Sequence, residues 1–452
     1  MVFCVTLTQL AKILAVMPSV ISDSEMTTGI TTDTRNLKAG EVFLALRGEN
    51  FDGHQFVTQA LELGAIAAIV DCSWEGESLN FPIFRVDDTL KAYQAIAHWW
   101  RKQFNIPVIA VTGSVGKTTT KELIAAVLAT QGKVLKTQLN YNNEVGVPKT
   151  LLELSSDHQY AVIEMGMRGP GEIALLSQIA QPTIGLITNV GTAHIGKLGS
   201  REAIAQAKCE LLAEMPPDSM AILNADNDLL MATAATVWSG KTLTYSLESG
   251  SLCPELLDDC TITIDGLKLP LPLPGSHNAV NYLAALAVAK VLGVSWDALT
   301  GGLSVELPSG RARRYELSND IVILDETYNA GLESMLAALR MLAATPGKRH
   351  IAVLGTMKEL GELSLEFHRQ VGAMVKELNL DALFILADFA EAAAMANGAI
   401  GLPLIKLGDI SQVDARSRMA QDLKDFVKEG DRILFKASHS VELNRVVEIF
   451  RR

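Results

Sequence analysis

The stretch Val108-Ile-Ala-Val-Thr112-Gly113-Ser114-Val-Gly116-Lys117-Thr118-Thr119-Thr120 constrains the fold more than any other part of the chain. An apolar run of strand length breaks into a glycine turn. A helical pattern follows at once, with Leu123, Ile124, Val127 and Leu128 spaced for one face. Strand, glycine turn and helix N-terminus together make a phosphate cradle. Backbone N–H groups point into the loop, the helix dipole adds partial positive charge, and Lys117 supplies a full one. Thr118, directly after the lysine, has the hydroxyl that suits Mg²⁺ in such loops. The loop is two residues shorter than the common G-x-x-x-x-G-K-[ST] form. The motif implies a bound nucleoside triphosphate and leaves the reaction open.

At 452 residues the chain is too long for one ordinary core, so two or three domains are expected. Apolar strands alternate with helices from Pro107 to about Leu307: Tyr160-Ala-Val-Ile-Glu-Met165, Thr183-Ile-Gly-Leu-Ile-Thr188 and Ser219-Met-Ala-Ile-Leu-Asn224. Such alternation predicts a largely parallel sheet wrapped by helices, with ligands gathering at the carboxyl ends of the strands. Before Asn105-Ile-Pro107 lie a strand-turn-strand pattern from Thr28, a helix from about His54 to Leu63, a strand Ala65–Val70 and a helix from Lys91 to Phe104. After Leu307-Pro-Ser-Gly310 the alternation restarts with strands at Ile321–Leu324, His350–Leu354, Ala382–Leu386 and Arg432–Phe435. The α/β chain therefore divides at 1–105, 106–308 and 309–452, and the active site is expected between the second and third units.

A net charge of −12, with no basic block beyond Arg311-Ala-Arg-Arg314, disfavours nucleic acid as a partner. Five scattered cysteines without CxxC spacing read as reduced thiols rather than a disulfide frame. The first residues lack a basic n-region and a cleavage pattern, and Thr8 capping a helix through Leu14 is the better account. No apolar segment reaches membrane-spanning length. The expectation is a cytoplasmic monomer.

Several polar residues sit where chemistry would be. Glu164 ends a strand and suits an Mg²⁺ ligand, or it faces water. Asn189-Val-Gly-Thr-Ala-His194 follows the next strand, and its histidine either packs or contacts a metal or phosphate. On the helix Arg201–Met215, Lys208 shares a face with Ile204, Leu211 and Leu212. A lysine in an apolar stripe must snorkel, pair or be modified. Asn278 and Asn281 open a helix after Gly275, where they cap it or reach a base edge. Arg311, Arg313 and Arg314 lie at the junction of units two and three, where a guanidinium can fork onto phosphate, or two of the three simply face solvent. Asp325-Glu326 offers adjacent carboxylates at a strand end.

Taken in order, Thr112-Gly-Ser-Val-Gly-Lys-Thr-Thr-Thr, Asn140-Tyr-Asn-Asn-Glu-Val-Gly-Val-Pro148, Glu164-Met-Gly-Met-Arg-Gly, Thr188-Asn-Val-Gly-Thr-Ala-His and Gly275-Ser-His-Asn-Ala-Val-Asn resemble the Mur ligases, whose phosphate loop is similarly short. Thr31-Thr32-Asp33-Thr34-Arg35, with Gly40-Glu-Val-Phe through Asn-Phe-Asp-Gly-His54, resembles the uridine-nucleotide domain of that family. The resemblance covers essentially the whole chain. It implies a uridine-nucleotide-binding N-terminal domain, a central ATP-binding domain and a Rossmann-like C-terminal domain that takes an incoming dipeptide. The implied activity is ATP-dependent addition of D-alanyl-D-alanine to UDP-N-acetylmuramoyl-tripeptide through an acyl phosphate, in peptidoglycan synthesis.

Carried residue by residue, the resemblance places Gly113, Ser114, Gly116, Lys117, Thr118 and Thr119 around the phosphates, with Lys117 on the β and γ groups. Thr118 and Glu164 would hold one Mg²⁺. His194 and Lys208 would serve a second, with Lys208 carrying a carbamate. Asn143, with Asn142, would sit near the phosphates, Asn278 near adenine, Arg311 on the γ-phosphate and Glu326 on the ribose. Thr32, Asp33, Thr34, Arg35 and Asn329 would contact substrate. Three departures fall in the third unit. Asp325-Glu326 stands for the usual Asp-Asp, with Gly331-Leu332 for Asn-Pro after it. Leu354-Gly-Thr356-Met357 stands for Leu-Gly-Asp-Met, and Lys436-Ala-Ser438-His439 for Lys-Gly-Ser-Arg. They bear on how the dipeptide is held. Two rivals differ in class: a folate polyglutamate-type ligase, and a nucleotide-binding regulatory protein that has lost ligation.

Overall fold

Three large sheets succeed one another along the chain, with three smaller ones beside them, in a computed structural model that describes residues 2–20, 25–76, 81–258 and 260–452. The first has four parallel strands in the order Ile30–Thr31, Val42–Leu44, Ala67–Asp71, Ile83–Val86. The helical stretch expected from His54 splits into a 3-10 turn, Gly53–Phe56, and a short helix, Val57–Glu62. The first helix, Leu7–Leu14, is capped by Thr6 rather than Thr8; Thr6 Oγ1 accepts from Gln9 N at 3.0 Å. Thr6 also pairs with Met26 in a two-stranded ladder, which holds it in the extended conformation an N-cap needs.

The helix Thr89–Arg101 packs on the central unit. Trp100 Nε1 donates to Leu154 O at 3.1 Å, and Arg101 Nε donates to Ala180 O at 3.0 Å.

The central sheet has six parallel strands in the order Val134–Lys136, Tyr160–Glu164, Val108–Thr112, Ile184–Ile187, Met220–Asn224, Lys241–Tyr245. Its apolar strands are buried on both faces, as parallel strands between helices must be. Glu164 pairs with Val111, and Ile187 with Thr112. That register brings Gly113, Glu164 and Thr188 to one edge, at the carboxyl ends of three adjacent strands. A separate antiparallel sheet, Glu255–Asp258, Thr261–Ile264 and Leu267–Pro270, follows.

The third sheet runs Arg313–Leu317, Ile321–Glu326, Asp431–Lys436, Arg349–Gly355, Ala382–Ala387, Ile405–Asp409. Its first strand is antiparallel to the second and the rest are parallel. The arginine run after Gly310 therefore enters an edge strand. Asp325, Glu326, Gly355 and Lys436 end neighbouring strands, which face the phosphate edge of the central sheet across a cleft of about 1060 Å³.

Candidate active site

Gly116 caps the helix Lys117–Leu128 with φ +84°, a conformation that costs a residue without Cβ little. A Cβ on Gly113 would overlap Thr188 Oγ1. The short loop is stapled by the next strand's end. Ser114 N donates to Asn189 O at 3.0 Å and Val115 N to Asn189 Oδ1 at 3.0 Å, while Asn189 Nδ2 returns a bond to Val115 O at 3.0 Å. Gly191 N donates to Ser114 Oγ at 2.8 Å. Asn189 thus shapes the cradle, a role its place in the sequence did not announce. Lys117 Nζ donates to Gly113 O at 2.7 Å and Ser114 O at 3.3 Å. Burial lowers the Lys117 pKa, opposed by nearby Glu164 and assisted by Arg311. Ser114, Gly116, Thr118 and Thr119 line the cleft with it, while Gly113 sits just behind.

Glu164 is buried, not facing water. Asn142 Nδ2 donates to its Oε1 at 2.8 Å, and Oε2 is buried with no hydrogen-bond partner. An orphaned carboxylate oxygen on the wall of the cleft that Thr118 and the phosphate loop also line fits a divalent cation. His194 lines the same cleft at φ +66°, an uncommon backbone for a non-glycine residue. Lys208 lies on the helix Arg201–Ala213, whose Ser200 side chain caps it by accepting from Ala203 N at 3.1 Å. Ile204, Lys208, Leu211 and Leu212 are all buried, so this lysine does not snorkel.

No ion pair to Lys208 forms among the described residues. Burial pushes its pKa well below the usual lysine range, and the charge of Lys117 pushes the same way. A neutral amine is the form that takes up CO₂ as a carbamate. No cluster of three or more His, Cys, Asp or Glu side chains suited to a metal occurs among the described residues. A second cation would therefore need anionic oxygens from a carbamate or from phosphate, and the residues present fit that need.

The third unit supplies the opposite wall. The Arg311 guanidinium lies 4.0 Å above the Tyr328 ring, and its buried Nε has no partner. Glu326 accepts from Ala312 N at 3.1 Å and lies 3.6 Å from Lys436 Nζ. Lys436 is buried, which lowers its pKa against the pull of Glu326, and it donates to Asn329 O at 3.1 Å. Asn278, buried in the first turn of Ser276–Val291, donates to Pro274 O at 2.7 Å, and Asn143 Oδ1 accepts from Gly146 N at 2.9 Å. Both asparagines keep these local bonds while lining the cleft, as do Glu326 and Asn329. At 356, where the chain departs from the family's usual carboxylate, buried Thr356 Oγ1 donates to Asp388 Oδ2 at 2.8 Å, and Lys358 Nζ sits 2.7 Å from the same oxygen. A carboxylate from the neighbouring strand's end, Asp388, thus lies against Thr356.

Thr32, Asp33, Thr34 and Arg35 are not brought to this cleft. Asp33 and Arg35 pair with each other at 2.7 Å, and the Arg35 guanidinium holds the Asp33 carboxyl down at about 2. A second, smaller cleft of about 430 Å³ lies on the N-terminal unit between Arg47 and Phe56, where the Phe51 and Phe56 rings stack 5.8 Å apart.

Two residues of the third unit that no local pattern marked reach the loop 191–197. Glu333 accepts from Thr192 N at 2.7 Å, and Glu359 is hydrogen-bonded to His194 Nδ1. There the backbones also meet. Gly196 N donates to Glu359 O at 3.1 Å, and a Cβ on Gly196 would lie 2.5 Å from Gly361 N.

A short phosphate cradle at the carboxyl edge of a parallel sheet, faced by a buried carboxylate and an arginine from another α/β unit, defines a nucleotide-dependent phosphoryl-transfer enzyme. Three family models match: the Mur ligase family catalytic domain over residues 27–130, the Mur ligase middle domain over 111–289 and the Mur ligase glutamate ligase domain over 310–439. The chain belongs to the Mur ligase family, as its motifs led one to expect. It is 59% identical to the UDP-N-acetylmuramoyl-tripeptide--D-alanyl-D-alanine ligase of Synechocystis sp., over 94% of this chain and 92% of that one. Among solved structures, MurF from Acinetobacter baumannii aligns with TM-score 0.90 at 31% identity, covering 99% of each chain. MurF from Thermotoga maritima in complex with ADP aligns with TM-score 0.82 at 31% identity, covering 94% of this chain and 97% of that one.

Proposed function

We propose that this chain adds D-alanyl-D-alanine to UDP-N-acetylmuramoyl-tripeptide with ATP hydrolysed to ADP and phosphate, completing the pentapeptide precursor of peptidoglycan. The observation that carries this is a single cleft into which the phosphate loop of one unit and Arg311 of the next both project. The 59% identity across almost the whole chain supports the same substrates. It also weighs against a folate polyglutamate-type ligase and against a regulatory protein that has lost the reaction.

The terminal carboxylate of the tripeptide attacks the γ-phosphate, ADP leaves, and an acyl phosphate forms. The dipeptide amine then adds to the acyl carbon, and phosphate departs from the tetrahedral intermediate. Lys117 and the loop amides hold the β- and γ-phosphates, and Arg311, steadied on Tyr328, neutralises charge that builds on the transferring group. Thr118 and Glu164 would hold Mg²⁺, which would supply positive charge against the phosphates, and His194 and a carbamylated Lys208 would hold a second cation. Asn143 and Asn278 border the nucleotide, and Glu326 meets the ribose.

Residues 1–105 take the uridine nucleotide, 106–308 the ATP and 309–452 the dipeptide. The stacked pair Phe51 and Phe56 offers an apolar face for a base, with Thr32, Asp33, Thr34 and Arg35 nearer the rest of that substrate. Asn329 borders the region where the two peptides meet. Among the described residues no helix is long and apolar enough to cross a membrane.

Phosphate release from purified protein with ATP, Mg²⁺ and UDP-MurNAc-tripeptide, with and without D-Ala-D-Ala, tests the proposal. Release that requires the dipeptide, with a UDP-pentapeptide by mass, is expected. Release indifferent to the dipeptide would sink it.

A further inference from the structure

His194 is gripped from the third unit. Its Nδ1 is hydrogen-bonded to Glu359 Oε2, and Lys197 Nζ lies 3.9 Å from the other oxygen of that carboxylate. Glu359 O accepts from Gly196 N, so both the side chain and the backbone of residue 359 engage the loop that carries the histidine. Glu333 holds the same loop two residues earlier, accepting from Thr192 N at 2.7 Å and Thr192 Oγ1 at 3.0 Å. Only the Glu359 contact reaches the imidazole.

The chemistry of that contact is directional. A carboxylate accepts, so Nδ1 must carry the proton, and Nε2 is left with its lone pair free. A ring so held is oriented and made more basic, the arrangement common behind metal-bound histidines. Without the carboxylate, the partly buried imidazole would choose either tautomer.

We propose that Glu359 is a positioning residue for a cation at His194: it fixes the ring with Nε2 toward the cleft, so that cation binding and seating of the third unit favour one another. By linkage, whatever the cation gains from a seated Glu359, the seated arrangement gains from the cation. This rests on the reading of His194 and Lys208 as ligands of a second cation. No substrate is needed for the coupling; nucleotide and cation suffice.

The test is Mn²⁺ titration of the whole chain with ADP present, followed by electron paramagnetic resonance, with ADP affinity measured separately. Wild type is expected to bind a first and a weaker second Mn²⁺. Glu359→Ala is expected to weaken the second by about 10–100-fold and leave the first and ADP unchanged. Glu359→Gln, whose amide oxygen still accepts from Nδ1–H, is expected to recover most of that loss. Glu333→Ala loosens the same seam without touching the ring, and a smaller effect is expected there. Equal losses in Glu333→Ala and Glu359→Ala would assign everything to seating and overturn the positioning role, as would an unchanged second affinity in Glu359→Ala. A wild type that binds a single Mn²⁺ would instead overturn the two-cation reading beneath it. A melting temperature close to wild type is expected for each variant, since Glu359 is partly exposed.

Discussion

Asn142, in the loop before the helix Gly146–Leu152, and Glu164, at a strand's end, lie 22 residues apart in sequence and are joined at 2.8 Å, so that one carboxylate oxygen is tied and the other is buried and free. The amide fixes which way the free oxygen points. Asn142→Ala is therefore expected to weaken Mg²⁺ dependence by about 10–100-fold while leaving saturated turnover much closer to wild type. Initial rates over a range of Mg²⁺ concentrations check this. A drop in turnover at saturating Mg²⁺ with no change in Mg²⁺ dependence would refute it.

Arg311 needs its plane. Its guanidinium stacks 4.0 Å from the Tyr328 ring, and a lysine could neither stack in that way nor fork onto phosphate. Arg311→Lys should lower kcat by roughly 10²–10³, with little change in ADP affinity. Steady-state kinetics beside calorimetric ADP binding separate the two. Wild-type turnover in the lysine variant would remove Arg311 from the phosphoryl step.

The depressed pKa of Lys208 sets a pH order. The neutral amine persists to lower pH than on a surface lysine, and a carbamate should be retained until pH falls through that lowered value. The unfolded chain, binding that proton more readily, makes the same group's contribution to stability grow as pH rises toward 10.5. With ¹³C-bicarbonate, a carbamate signal is expected in wild type near neutrality, fading on acidification, and absent in Lys208→Ala. Full activity in carefully CO₂-free buffer, with no such signal, would count against it.

Asp325 gives a stability test in the opposite sense. Burial raises its pKa above 3.8, against the two bonds its Oδ1 accepts from Thr327 N at 3.1 Å and Oγ1 at 2.6 Å. The folded chain thus holds this proton more tightly, and ionisation works against folding as pH rises through the raised value. Asp325→Asn keeps an acceptor for Thr327 and never ionises. Its melting temperature relative to wild type should climb as pH rises above 3.8, level once pH has passed the raised value, and be unchanged below both. A flat or falling difference would show that the carboxylate is stabilising when charged.

Thr356 makes the family-like residue the worse choice here. Asp388 and Lys358 already occupy the space next to it with a carboxylate and its cation. Thr356→Asp should cost about 1–3 kcal/mol through like-charge crowding and a lost hydroxyl donor, and Asp388→Asn in the same chain should recover part of it. Denaturant melts of the single and double variants provide the check, and additive losses would dismiss the pairing.

What could be read beforehand was what the chain holds locally. The phosphate loop, the strand-end Glu164 and the apolar stripe around Lys208 each span a few residues, and spacing exposes them. Glu333 and Glu359 were invisible because their partners lie 141 and 165 residues away, and surface glutamates on a helix and a turn carry no periodic signature. The Thr6 cap was missed because the ladder with Met26 that extends it forms across a gap in sequence. The hairpin Thr261–Ile264 and Leu267–Pro270 was legible and went unmarked: both runs alternate around Asp265-Gly266, whose positive φ angles make the tight turn.

Where Gly196 meets Gly361, peptide rests on peptide, with a Cβ on Gly361 falling only 2.8 Å from Gly196 Cα. Side chains yield under load; backbone does not. The approach of the third unit thus ends at a hard stop, and the volume enclosed there is set by the main chain rather than by whatever occupies it. A bulkier occupant would have to prop the two units apart against that backbone contact, so the seam would gauge the size of what the cleft admits without touching it.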